Sequence, residues 1–376
     1  MKPVHGAVLL TLLACKSDHP ATGTPPTARP AAPTLTTSPA APAPRAWVSV
    51  GHPGAGVQAL LARPDGTAIA IGARKPKSPW SPRSDVAILD PGTNRWSAGP
   101  PLNVARNDLS AVVLRDGAVL VFGGSAEDDH DVDVVERLAP GAKTWSRVAP
   151  MPAAGRYVAA VVLPSGLVFA ASGRHGYDCT GAAMLYDPAA DRWRTLPPMP
   201  QPHTKATAVL DGAGQPVIVH GACDEDHDKQ FGPDRYDLAR SVWTSGAPTA
   251  ETFGATASLG DGRTLVVGGL DVTEMKDIAT AQILDASART WRATTPAPTP
   301  REHGTALRIP DGKVMVLGGD PAVDLYDPTR ESWAPGPPLP TAAWDMPAAV
   351  LRDGHVLVTA GFDAATETYR DDSWRY

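Results

Sequence analysis

The chain has 376 residues and a formal net charge of −6, from 34 Lys and Arg against 40 Asp and Glu. It therefore lacks the basic footprint of a general nucleic-acid binder. Its 35 Gly and 40 Pro punctuate the whole sequence, and no 3.6-residue apolar period lasts long enough for a major helix, so the expected class is all-β.

The first 45 residues stand apart. Lys2 precedes the apolar stretch Ala7 to Ala14, and Leu12-Leu13-Ala14-Cys15 resembles a bacterial lipobox. The resemblance implies that residues 1–14 are a signal peptide and that Cys15 carries a lipid, so the protein is exported and anchored to the membrane of the cell envelope. Lys16 follows the cysteine where an aspartate would mean inner-membrane retention, which points to the outer membrane. Residues 16–45 hold eight prolines among Ala and Thr, a composition expected to be disordered and extended rather than packed. At about 3.1 Å per residue such a tether reaches roughly 90 Å.

From residue 46 the chain repeats. Trp47, Trp96, Trp145, Trp193, Trp243, Trp291, Trp333 and Trp374 lie 41 to 50 residues apart, a period that marks a solenoid, propeller or array. Between them the same signals recur: an apolar run (Leu109 to Leu114), a turn (Asp116-Gly117), a second run (Ala118 to Phe122) and Gly123-Gly124. The turn recurs as Asp65-Gly66, Ser165-Gly166, Asp211-Gly212, Asp261-Gly262, Asp311-Gly312 and Asp353-Gly354, with glycine where a tight hairpin needs positive φ. A third strand ends in an aromatic or leucine before a turn, as in Tyr186-Asp187-Pro188 and Tyr326-Asp327-Pro328. The tryptophan strand is the fourth.

Short four-stranded antiparallel sheets packed around an axis keep their edges short and protected. The unit resembles the kelch repeat, fully in blades two, five and six, which carry Gly123-Gly124, Gly268-Gly269 and Gly318-Gly319. The other blades keep one glycine, at Gly72, Gly173, Gly221 or Gly361. This resemblance implies a seven-bladed kelch-type β-propeller over residues 46–376. Eight tryptophans exceed seven blades. Either Trp47 completes blade seven and Ser373 to Tyr376 are redundant, or the C-terminal segment fills that blade and the N-terminal one lies outside.

Cys179 and Cys223 follow the second strands of neighbouring blades, in homologous loops. In an exported protein they are a disulfide candidate; the alternative is two unpaired thiols.

Functional residues are expected in the loops between blades and between second and third strands, which share one face. Trp80 and Trp344 are the tryptophans outside the repeat positions; they are either binding anchors or packing for a proline-rich loop and the axis. Arg106, Arg156 and Arg301 precede the first strands of their blades, where a kelch repeat often has arginine. Converging near the axis, they would form a rim for carboxylates. With His303 these residues form the candidate ligand-binding set. The acidic runs Glu127 to Asp131 and Asp224 to Asp228 lack the spacing of a calcium loop and read as solvated.

Two kelch-ring enzyme families bear on these residues. Copper radical oxidases need two tyrosines, two histidines and a cysteine linked to one tyrosine; no adjacent Tyr-His pair occurs, and Cys179 has a nearer partner in Cys223. Sialic acid mutarotases place an arginine and acidic residues at the ring centre, for which Arg301-Glu302-His303 supplies the types. No nucleophile with its base, phosphate-cradling loop or zinc spacing is present, so no catalytic residue, metal or cofactor is assigned. The expected function is a monomeric binding module for an envelope or extracellular protein or an acidic glycan, with a carbohydrate-active enzyme as the alternative.

Overall fold

A computed structural model describes residues 46–54, 56–72, 81–221, 223, 231–248, 254–271, 274 and 276–376. The leader, Cys15, the linker, Trp80 and the acidic run at 224–228 lie outside the described residues. No helix among the described residues is long and apolar enough to cross a membrane.

The described residues form seven four-stranded antiparallel sheets. Blade two is typical, with strands Ser110–Val113, Val119–Phe122, Val135–Leu138 and Ser146–Val148 from the axis outward. The inner strands contact one another in chain order, and that of blade seven, Ala348–Val350, meets that of blade one, Ala59–Ala62, so the ring closes.

The second strand of each blade is its most buried part. Ala68–Ile71, Val119–Phe122, Val168–Ala171 and Val356–Thr359 are buried at every position, because both faces of a blade pack on its neighbours. This is why these strands read as unbroken apolar runs rather than alternating ones. Six of the first hairpins close on an aspartate whose carboxylate accepts a backbone N–H two residues on, as Asp116 does from Ala118 at 2.9 Å, and in blade three Ser165 Oγ takes that role. Gly117 follows at φ 81°, a conformation cheap only for glycine. Blade four departs from the expected turn: Gly214, not Gly212, takes the left-handed position at φ 71° and donates to Asp211 O at 3.0 Å.

The repeat tryptophans join blade to blade. The indole Nε1 of Trp145, Trp193, Trp243, Trp291 and Trp333 donates to Pro100, Ala149, Pro197, Ala247 and Thr295 O, each in the preceding blade, at 2.7–3.0 Å. Within a blade the same ring packs on the third-strand tyrosine, with centroids 4.9 Å apart for Tyr186 and Trp193 and for Tyr326 and Trp333.

Closure uses both termini: the N-terminal strand completes blade seven, as the first expected arrangement has it, but Ser373 to Tyr376 are part of that blade and not redundant. Ser373–Arg375 is the third strand of blade seven and Val48–Gly51 the fourth. Trp47 stacks on Tyr376 with centroids 5.2 Å apart and donates to Pro337 O at 2.8 Å, repeating both contacts of the other blades. Trp374 therefore sits in a third strand, two residues before the position of the repeat tyrosine. In blade one Trp96 donates to Ser373 Oγ at 2.9 Å, and that hydroxyl donates to Gly51 O at 2.6 Å. Ser373 thus relays a contact made directly elsewhere.

Trp145→Ala, at a site 5 % exposed, is expected to lower unfolding free energy by about 3–5 kcal/mol, and Trp145→Phe by about 1 kcal/mol through the lost donor. Removal of Tyr376 should cost at least about 1 kcal/mol by stripping Trp47 of its ring partner. Denaturant unfolding of each variant measures these losses.

Candidate functional site

The loop leading into each inner strand sorts its residues by position. Aligned on the strands, Asp108, Tyr157, Lys205, His303 and Asp345 are equivalent, and all are left-handed, with φ between 48° and 56°. All five line a cavity of about 590 Å³ at the axis, together with Gln58, His220 and Tyr369. The middle residue of the loop presses its carbonyl onto the second glycine of the doublet: a Cβ on Gly124 would lie 2.3 Å from Asn107 O, and one on Gly361 1.8 Å from Trp344 O. Blades three, four and seven therefore retain that glycine and vary the first.

Two residues earlier, the side chain enters the blade. Arg106 is 0 % and Arg301 1 % exposed. Arg106 meets Glu136 at 2.8 Å and donates to Gly123 O and Val134 O at 3.1 and 2.8 Å. Arg301 meets Asp324 at 2.5 Å and reaches Gly318 O and Ala322 O at 3.3 and 3.2 Å. Burial pulls both guanidinium pKa values down, against the nearby carboxylates that raise them. The expected convergence of arginines on the axis is thus corrected: these two brace the approach loop against the third strand, and neither lines the cavity.

Arg156 belongs to a different position, equivalent to Asn107. Its Nε and Nη1 donate to Asp131 and Asp129 at 2.7 and 2.6 Å, and these hydrogen bonds raise its pKa against the effect of burial. The first acidic run, expected to be solvated, therefore clamps an arginine of the next blade. Asp131 also accepts Gly176 N at 2.6 Å, tying blade two to the projecting hairpin of blade three, Arg174–His175 with Asp178–Cys179. At its tip Tyr177 is 76 % exposed. The Cys179–Cys223 disulfide joins this hairpin to blade four, with Cα atoms 5.9 Å apart.

Of the remaining candidates, His303 lines the cavity and lies 3.5 Å from Asp345. Trp344 is half-buried between Gly319 and Phe362, whose ring centroid is 6.4 Å away. Phe362 in turn meets Tyr369, which lines the cavity, edge to face with centroids 5.2 Å apart. Trp344 thus supports the wall from behind.

His220 escaped the sequence reading, although the signal was present: it replaces the first glycine of the doublet in blade four, at φ 44°. It is 4 % exposed, its Nε2 lies 2.7 Å from Thr256 Oγ1, and its Nδ1 has no hydrogen-bond partner. Desolvation, aided by His203, lowers its pKa to about 4. The same blade has His203 where blades two and six have arginine, 3.8 Å from Asp234.

Arg106→Ala and Arg301→Ala should each lower stability by about 3–5 kcal/mol, because a carboxylate is left buried without its partner. Loss of the disulfide, which closes a separation of 44 residues, should cost roughly 4 kcal/mol on chain-entropy grounds, seen as a lower midpoint under reducing conditions. Because the unfolded chain takes up the His220 proton more readily, that residue's contribution falls as pH drops from about 6.5 towards about 4, by of order 3 kcal/mol. His220→Asn should flatten the unfolding profile across that window.

A kelch motif model matches residues 109–152, the span of blade two. No curated protein matches the chain in sequence. Among solved structures, a novel fungal alcohol oxidase of the AA5 family, in complex with copper, is similar in fold, with a TM-score of 0.71 over 88 % of this chain and 75 % of that one at 17 % identity. The described residues do not fit a copper centre of the radical type. Cys179 and Cys223 are bonded to each other, which leaves neither thiol for a link to tyrosine. Among the described residues, one group of three His, Cys, Asp or Glu brings its ligand atoms together, His52, Asp371 and Asp372. Arg370 already holds Asp372 at 2.7 Å. The described residues thus form a seven-bladed β-propeller of the kelch type, with a kelch motif in blade two.

Proposed function

We propose that the protein is an exported binding module, tethered to the cell envelope through Cys15, whose ligand enters the axial cavity. One observation carries this reading: equivalent left-handed positions in five blades supply four kinds of side chain, Asp, Tyr, Lys and His, to one cavity. A rigid scaffold with variable residues at matched loop positions is how recognition sites are built. The disulfide supports an oxidising compartment. The lipobox-like Leu12 to Cys15 and the proline-rich segment after it support the tether.

The ligand is a polar glycan or protein segment. The arginine rim that favoured an acidic ligand is absent from the cavity, since Arg106 and Arg301 are buried braces and Arg156 is neutralised by Asp129 and Asp131. The mutarotase-like alternative loses its arginine in the same way. The lining is polar and mixed, with Lys205, His303, Asp108 and Asp345 among its residues.

Screening the protein on glycan and peptide arrays should identify a bound class. A combined Lys205→Ala and His303→Ala change should then weaken capture by about tenfold or more, the effect of losing about 1.4 kcal/mol. Unchanged capture with intact folding would move the site off the axis. Cys15→Ala should shift the protein from the membrane to the soluble fraction; retention in the membrane would overturn the anchor.

A further inference from the structure

We infer that blade four binds a divalent transition-metal ion of the zinc class, held by His203 Nε2 and Asp234 Oδ2 at the place where blades two and six have a guanidinium. Neither residue lines the axial cavity, so this is a second site.

The repeat defines the place. In blades two and six the arginine two residues before the left-handed one donates to three acceptors: the carbonyl of the first doublet glycine, the third-strand acid, and the carbonyl two residues before that acid. Blade four keeps the acid as Asp234 and has His203 for the arginine. His203 Nδ1 bonds to His220 O, the carbonyl at the first doublet position, as the guanidinium does. Gly232 stands where Val134 and Ala322 supply the other carbonyl.

The hydrogen on the imidazole is fixed by its partner. A carbonyl oxygen only accepts, so Nδ1 carries the hydrogen and Nε2 of the neutral ring is left with a lone pair. An ionised carboxylate also only accepts. These two acceptors, Nε2 and Oδ2, lie 3.8 Å apart. Both residues are 0 % exposed, and neither atom has a hydrogen-bond partner among the described residues. A buried carboxylate beside a lone pair is costly unless a positive charge lies between them.

The surroundings favour a metal ion over a proton as that charge. A protonated Nε2 at 3.8 Å is too far from Oδ2 for a hydrogen bond. A zinc ion about 2.0–2.2 Å from each atom bridges them. Metal-bound imidazoles donate their other N–H to a carbonyl or carboxylate, and metal-bound carboxylates take a further hydrogen bond. Both features are present: Nδ1 donates to His220 O, and Asp234 Oδ1 accepts from Ser245 Oγ on the outer strand. Phe231 stacks on the imidazole with centroids 5.1 Å apart and fixes its plane. A nitrogen and an oxygen ligand suit zinc and its first-row neighbours better than calcium or magnesium. An ion there ties the approach loop of blade four to its third strand, as the arginines do in blades two and six.

The test strips the untagged full chain with chelator, then titrates it with Zn²⁺ by calorimetry and with Co²⁺ by visible absorption. About one equivalent should bind at this site and raise the midpoint of thermal unfolding. His203→Arg, which restores the brace of blades two and six, should fold and lose that equivalent; Asp234→Asn, which keeps the side-chain shape, provides the same comparison should the arginine not be accommodated. Ser245→Ala keeps both ligands and should weaken Zn²⁺ binding about 10- to 100-fold. His52→Ala, at the exposed group of His52, Asp371 and Asp372, should leave the equivalent in place. No binding to the stripped chain, or an equivalent that survives loss of His203 or Asp234 or disappears with His52→Ala, would overturn the inference.

Discussion

One contact repeats between every blade and the one before it, an indole N–H donated by the repeat tryptophan. One four-stranded sheet cannot bury both of its faces, and apolar packing between blades has no direction of its own. The hydrogen bond supplies direction, since it forms only when the outer strand of one blade lies in a fixed relation to the end of its neighbour's. In blade one the acceptor is Ser373 Oγ rather than a backbone oxygen, and the departure falls at the seam where two termini share a blade. The register of the whole ring, and with it the placing of the inner strands around one axis, depends on this contact being made around the full circle.

The fold was legible because its causes are local and repeated. Glycine at a positive-φ turn, an unbroken buried strand and a spaced tryptophan each act within one unit, so seven copies reinforce one another. The closure was not legible, since Trp374 has the spacing of a fourth-strand residue and only its pairing shows it to be in the third. Trp47 and Tyr376 carry the true equivalence. The Asp211-Gly212 turn was misplaced for a related reason: blade four has a second glycine at Gly214, and backbone conformation, not residue type, decides between them.

The site was half legible. Sequence order places Tyr157, Lys205, His303 and Asp345 in the right loops, but it places Arg106 and Arg301 there as well. What separates the groups is a left-handed residue that turns the chain, so that side chains two positions apart go opposite ways: one toward the axis, the other back to an acidic partner in the third strand. That partner, Glu136 or Asp324, lies 30 or 23 residues away, beyond the reach of a loop-by-loop reading. His220 was visible only as a missing glycine, and its significance comes from burial.

Blade seven also sets an order of events. Its fourth strand is made at the start of the propeller and its third at the end, and Ser373 meets Gly51 across a separation of 322 residues. During synthesis the N-terminal strand has no partner until nearly the whole ring has been produced, and blade six meanwhile presents an uncovered face. Contacts so distant in sequence form slowly, and open sheet edges invite pairing with other chains. The protein's assembly is thus a circle that can lock only once, at its last few residues, and a chain released short of Ser373 would keep six blades while leaving the ring open.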